Sequence, residues 1–228
     1  MQYKTEIHLH TKMHGDRGFS DPDELVRLHK DAGYSTIIVT DHYSADNLGK
    51  IDGSWDEKMD YLVGGFKKAL AAGEKIGLNV LLGTELTLVT TQSDYLIYGI
   101  NEAFMRENPN LHCLNLRELV DVVNKNGWLA IQAHPFRLAM QLVPPELGWP
   151  IETWNGGTEP EANEEAERYA REHNLIGLAT SDYHEPADLG LGAILTDVEI
   201  TNIEQFIEIV RARKFTNIHK DRVGNKGY

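Results

Sequence analysis

The chain has 228 residues, 41% hydrophobic and 25% charged, a composition that supports a packed core and speaks against a disordered or low-complexity protein. Its 35 acidic against 22 basic residues give a formal net charge of −13, the wrong sign for holding long nucleic acid through its phosphates. The one cysteine, Cys113, excludes an internal disulfide and any metal site built on paired thiolates, so a metal would have to sit on nitrogen and oxygen.

Taken in chain order, a β-branched run at 3–9 reads as the first strand. A helix follows at 23–32, where Asp21 suits the cap, Pro22 the first position, Glu24 the third residue past the cap and Gly33 the stop. Leu25, Val26, Leu28, His29 and Ala32 recur at helical spacing, which makes His29 a core or flank histidine rather than a ligand. A second strand at 36–40, a long helix at 57–76 and a third strand at 79–85 come next, and 95–100 reads as an extra strand inserted as a hairpin. The remainder alternates: helix 116–126, strands 128–133 and 150–153, helix 160–172, strand 175–180, a weaker strand 193–197 and helix 203–213. Such alternation predicts a parallel sheet with helices outside it. Ligand-type residues gather just past the strand ends, as at the C-terminal mouth of a barrel, so a barrel is expected rather than an open doubly wound sheet. No apolar run approaches the roughly 20 residues of a membrane span. The first residues lack the apolar core of a secretory signal, so one cytoplasmic domain over 1–228 is expected, with no membrane partner.

His8-Leu9-His10 ends the first strand, where alternate side chains point the same way, so both imidazoles face one point. Neutral imidazoles suit a divalent metal. Asp41-His42 ends the second strand, Glu85 the third and His134 the fourth, and Asp182-Tyr183-His184 follows the sixth as another same-face pair. Each alone fits a cap or a surface residue; together they predict a shared metal site. Asp41 and Arg137 are the candidate catalytic residues outside the ligand set. Asp41, next to His42, would point to the other side of a regular strand and orient a ligand or stabilise the turn. Arg137 carries a planar fork suited to a pair of phosphate oxygens, the alternative being a surface arginine paired with a carboxylate. Lys12 and Arg17, on the loop after the first strand, are further candidates for substrate phosphate. Gly64-Gly65 and Gly156-Gly157 lack the companions of a phosphate loop, which leaves nucleotide-driven transfer without support.

The ordered set His8-Leu9-His10-Thr11, Thr40-Asp41-His42, Gly83-Thr84-Glu85, Ala133-His134-Pro135 and Ser181-Asp182-Tyr183-His184 resembles that of the polymerase and histidinol phosphatase, or PHP, domain family over nearly the whole chain. The resemblance implies an α/β fold, a distorted seven-stranded (β/α)7 TIM-like barrel, and two to three divalent ions, zinc, manganese or iron. Carried over by position, it implies one metal on His8, His10, Glu85 and Asp182, a second shared through Glu85 and completed by His134, and a third on His42 and His184. It implies one more ligand soon after the HxH, where Asp16, between Gly15 and Gly18, fits better than its rival His14. Another is implied before an apolar strand ending in glycine, where Asp94 precedes Tyr95-Leu96-Ile97-Tyr98-Gly99 and His112 is a distant second candidate. A carboxylate at that position, where the family often has an imidazole, moves preference from zinc toward manganese or iron.

The activity implied is that of a metal-dependent phosphoric ester hydrolase, similar to histidinol phosphatase. A metal-bridged hydroxide would attack the phosphorus of a small phosphomonoester, with His42, His184 or a metal-bound water as candidates to protonate the leaving group. The expected partner is a small phosphorylated substrate and not long nucleic acid. One alternative is a nuclease of the same family acting on oligonucleotides. A metal-dependent amidohydrolase also begins with an HxH but lacks the Asp-His, Glu and late Asp-x-His of this chain. A third alternative, an inactive accessory domain, sits badly with the nearly complete ligand set.

Overall fold

The computed structural model describes residues 2–12 and 20–221. Strand β1 (Tyr3–Leu9) is buried from Thr5 onward and pairs in parallel with β2 (Tyr34–Val39), which pairs in parallel with β4 (Asn79–Leu88). The two-residue β3 (His42–Tyr43) lies parallel on the far half of β4, with His42 opposite Glu85. Next come β5 (Ser93–Tyr98), β6 (Leu129–Gln132), β7 (Ile151–Asn155) and β8 (Gly177–Thr180). After β8, Leu9 bridges Tyr183 in parallel, with His10 N donating to Tyr183 O at 2.9 Å and Tyr183 N to His8 O at 3.1 Å. These bonds draw the two ends together and nearly close the sheet into a barrel. On the first residues of β1, β9 (Gly192–Thr196) pairs antiparallel, and β10 (Thr216–His219) pairs antiparallel with β9.

The path β10-β9-β1-β2-β4-β5-β6-β7-β8 therefore holds nine strands of mixed direction, not seven parallel ones. The expected α/β class and barrel-shaped sheet are found, and the expected extra strand forms an antiparallel hairpin with β4 without standing apart from the wall as an insertion. β5 is a full member of the wall, antiparallel to both β4 and β6. Only residues 89–92 join it to β4, far short of the dozen or so residues that a parallel crossover needs. This reversal matters for the site, because the start of β5 lies at the mouth where the parallel strands end.

The helices pack outside the sheet. α1 (Pro22–Asp31) starts on Pro22 as its sequence predicts, but the Asp21 side chain makes no capping bond; its carboxylate lies 3.8 Å from Lys12 Nζ. α2 (Ala45–Gly49) and α5 (Glu102–Glu107) are single short turns capped by Ser44 and Asn101. The long helix expected at 57–76 is two, α3 (Trp55–Leu62), opened by a Ser54/Glu57 capping box, and α4 (Gly64–Ile76). Gly65 is needed at the start of α4, since a Cβ there would run into Thr11 Oγ1 and reach within 2.7 Å of Asp41 Oδ2. α6 (Leu116–Asn126), α7 (Pro160–Glu172) and α8 (Ile203–Arg211) complete the outer layer. α8 buries Phe206, Ile207 and Val210 against Tyr98, Ile131 and Ile194 of the sheet. Among the described residues no helix is long and apolar enough to cross a membrane.

Candidate metal centre

Eight side chains of histidine, aspartate and glutamate meet at one mouth of the barrel in three groups, two of which share His10: His8, His10 and Asp182; Glu85, Asp94 and His134; and His10, His42 and His184. Within each group the ligand atoms lie within 4.8 Å of one another. Each element delivers its share by its own geometry. β1 places His8 and His10 two residues apart on one side, with their Nε2 atoms 3.1 Å apart. Glu85 is the hub: its Oε1 lies 3.0 Å from His134 Nε2 and 3.5 Å from His8 Nε2, and its Oε2 lies 2.7 Å from His42 Nδ1 and 3.5 Å from His10 Nε2. Asp94 enters from the reversed β5, 3.8 Å from His134 Nε2 and held by Thr87 Oγ1 at 2.5 Å. Asp182 Oδ1 lies 3.4 Å from both His8 and His10 and 3.5 Å from His184 Nδ1. The His10 ring stacks on His42 at 4.1 Å and leans on His184 at 4.4 Å.

Two of these residues sit on left-handed backbone, His134 at φ 28° and Asp182 at φ 50°. Such a conformation in a non-glycine residue costs about 1–3 kcal/mol and persists only where the surroundings impose it. Here two buried glutamates do so. Glu152 Oε2 accepts from His134 N at 2.8 Å. Glu6 accepts from Ser181 N at 3.3 Å and from Ser181 Oγ at 2.5 Å, just before Asp182, and from His8 N at 3.1 Å. Sequence reasoning missed both. The available signal was a lone carboxylate inside an otherwise apolar strand, in Thr5-Glu6-Ile7 and Ile151-Glu152-Thr153, because an unpaired charge is rarely buried.

The electrostatics favour cations. Burial would raise Glu85 and Asp182, but the imidazoles around them win. His42 and His8 hold Glu85 well below the usual carboxylate range, and His8, His184, His10 and Arg137 do the same for Asp182. Burial, reinforced by His42 and His184, keeps His10 well below its ordinary value; burial and His42 lower His184 despite Asp182. His8 and His42 move upward against burial, His8 through Asp182, Glu152 and Glu85, and His42 through Glu85. Asp94 is raised by burial and by Glu85.

The donor set fits divalent ions. Two imidazole Nε2 atoms face each other across 3.1 Å, an arrangement that needs a shared proton or a cation between lone pairs. His184 Nε2 is buried and finds no hydrogen-bond partner among the described residues. Glu85, Asp94 and Asp182 gather at this mouth, where the permanently cationic Arg137 guanidinium pairs with Asp182.

The remaining candidates are placed differently. Asp41 is buried outside the donor groups, its two oxygens accepting from Thr11 N at 2.7 Å and Thr11 Oγ1 at 2.9 Å. Arg137 reaches the mouth, its Nη2 donating to Asp182 Oδ2 at 2.8 Å, Thr158 Oγ1 at 3.0 Å and Asn155 Oδ1 at 3.3 Å. His112 packs against Tyr43 and joins none of the groups. Asp16, His14 and Arg17 lie outside the described residues.

The profile of the PHP-associated family matches residues 160–215, from α7 through α8. No curated protein matches the chain in sequence. Among solved structures it is similar to PsfC from Pseudomonas syringae, at 15% identity and TM-score 0.72, covering 96% of this chain and 92% of that one. It is also similar to a two-domain protein from Bacteroides vulgatus containing a predicted PHP-like metal-dependent phosphoesterase, at 16% identity and TM-score 0.66, covering 96% of this chain and 65% of that one. A third is a lesion-specific endonuclease from Pyrococcus furiosus, at 15% identity and TM-score 0.65, covering 97% of this chain and 60% of that one. The chain thus spans less than two thirds of the length of the last two. At these identities the likeness is one of fold.

Proposed function

We propose that this chain, a member of the PHP domain family, is a metal-dependent phosphoesterase that hydrolyses small phosphomonoesters. The observation that carries the proposal is the convergence of eight ligand-type side chains beside one guanidinium at a single barrel mouth. The three donor groups would each hold a divalent ion, His10 and the Glu85 hub linking them. When bound, such ions supply Lewis acidity, neutralising phosphoryl oxygens and lowering the pKa of water.

The protein's own part is placement. His8, His10, Glu85, His134 and Asp182 are almost fully buried, whereas the side chains of His42, His184 and Asp94 are 22%, 17% and 15% exposed. Substrate would therefore arrive over His42, His184 and Asp94. Arg137 is held through Nη2 by Asp182, Asn155 and Thr158, and its Nη1 would donate to an oxygen of a terminal phosphate. Low dielectric around the buried carboxylates strengthens each of these contacts.

The test is a panel of phosphomonoesters and phosphodiesters with manganese, zinc and iron supplied separately. Turnover of small monoesters, abolished by a chelator and restored by one of the metals, is expected. Absence of turnover with every metal would refute the proposal, and faster cleavage of oligonucleotides than of any monoester would reassign the chain to nuclease chemistry.

A further inference from the structure

Four hydrogen bonds converge on the carboxylate of Glu152, which is 1% exposed and belongs to none of the three donor groups. Oε1 accepts from His8 Nδ1 at 2.7 Å and from Thr180 Oγ1 at 2.6 Å. Oε2 accepts from His134 N at 2.8 Å and from Asn155 Nδ2 at 2.7 Å. We infer that Glu152 is a positioning residue that fixes His8 through its ring and His134 through its backbone, and so couples the donor group of His8, His10 and Asp182 to that of Glu85, Asp94 and His134. The inference rests on the proposed metal centre and goes beyond it by assigning a role to a residue outside the ligand set.

Three features make the role specific. With Nδ1–H donated to Glu152, His8 keeps its Nε2 lone pair for the cluster, where that atom lies 3.4 Å from Asp182 Oδ1. The bond to His134 N holds a residue at φ 28° whose ring reaches back to Glu85 Oε1 at 3.0 Å. Asn155 cannot flip to compensate for a lost acceptor, because its Oδ1 already accepts from Gly157 N at 2.8 Å and from Thr158 Oγ1 at 3.1 Å.

A carboxylate accepts at both oxygens, whereas a glutamine of the same size accepts at one end and donates at the other. In Glu152→Gln one side must therefore fail. With the amide toward His8, the ring proton moves to Nε2 and the ligating lone pair is lost. With the amide toward His134, two N–H donors oppose each other and the left-handed turn loses its anchor.

The experiment is a titration with zinc and, separately, manganese ions against a competing fluorescent chelator near neutral pH, on wild type, Glu152→Gln, His8→Ala and the double variant His8→Ala/Glu152→Met. Circular dichroism and melting of the metal-free proteins accompany it. Glu152→Gln is expected to weaken metal binding roughly 10–100-fold, in line with other residues that hold a ligating histidine. Adding Glu152→Met to His8→Ala is expected to cost a further loss, because no acceptor then faces His134 N, whereas a glutamine could turn its carbonyl that way once His8 is gone. Thr180→Val, which keeps the carboxylate but releases one restraint on Oε1, should give a smaller loss of the same sign and decides the matter if Glu152→Gln does not fold. A wild type that binds neither zinc nor manganese defeats the metal-centre reading itself. A wild type that binds either ion, with folded Glu152→Gln or Thr180→Val binding it as tightly, overturns the inference. A loss from Glu152→Gln in the wild-type background, with none on adding Glu152→Met to His8→Ala, overturns the coupling of the two groups.

Discussion

Burial keeps His29 neutral where an exposed imidazole would take a proton. The residue is fully buried between the rings of Tyr34 and Tyr183, and its Nδ1–H donates to Leu25 O at 2.8 Å. Burial, with a smaller push from Lys4 and against the bond to Leu25, brings it down to about 4 from the usual 6.5. The sign follows directly. Below the unfolded value the unfolded chain binds a proton that the native protein refuses, so the stability present above it is lost as pH falls toward the folded value. The loss is about 1.4 kcal/mol per pH unit. Urea unfolding of wild type and His29→Phe should show wild type losing about 2 kcal/mol more than the variant between about pH 7 and pH 5. Parallel pH curves for the two proteins would contradict this account.

At the same scale, the histidines and carboxylates that meet at the mouth were legible because each stands at or near a strand end and strand geometry fixes which side chains share a side. Glu6 and Glu152 were not. Glu152 meets His8 and His134, and Glu6 meets Ser181, from other parts of the chain, and no local spacing encodes such contacts. Asp41 was half legible: a regular strand turns it away from His42, but its partner Thr11 is set by the approach of α4.

Among the elements, α4 touches the site through one atom position. The Gly65 Cα faces Thr11, which follows His10, and Asp41, which precedes His42. Helix propensity alone would favour alanine there by about 1 kcal/mol. The buried clash with Thr11 reverses the sign, since overpacking typically costs about 1–3 kcal/mol. Gly65→Ala should lower the melting temperature of the metal-free protein and weaken metal binding, because the Thr11–Asp41 pair spaces His10 from His42. Gly49→Ala, where an added Cβ meets nothing within 4 Å, serves as the neutral control. Equal melting and equal metal affinity for the two variants would remove α4 from the support of the site. Long elements were readable from periodicity, as α6 and α7 show with the bounds their sequences predict. β3, α2, α5 and β10 were not read, because two to six residues hold too little of a repeat to separate from a loop. The direction of β5 follows from a connection length rather than from any residue type, which is why its sequence showed a strand without showing its place in the wall.

For the whole molecule, the nearly closed sheet concentrates buried carboxylates at one mouth while the surface carries the balance of a net charge of −13. Bound cations reverse the field within that mouth and leave it unchanged outside. A small phosphomonoester needs only the mouth: its phosphate meets the cations and Arg137, and the rest of the molecule extends outward. A long polyanion must also lie along the acidic exterior, where repulsion acts over a Debye length of about 10 Å at 0.1 M salt and farther at lower salt. Single-stranded DNA or RNA should therefore inhibit monoester turnover poorly, and more poorly as salt is lowered, opposite to the trend of proteins that bind nucleic acid through basic surfaces. The measurement is turnover of a small monoester against increasing oligonucleotide at two salt concentrations, with free metal held constant so that chelation by the polymer is not read as binding. Tight inhibition that strengthens at low salt would show an attractive path for a polymer along the surface, and the net charge would then have ranked the substrates wrongly.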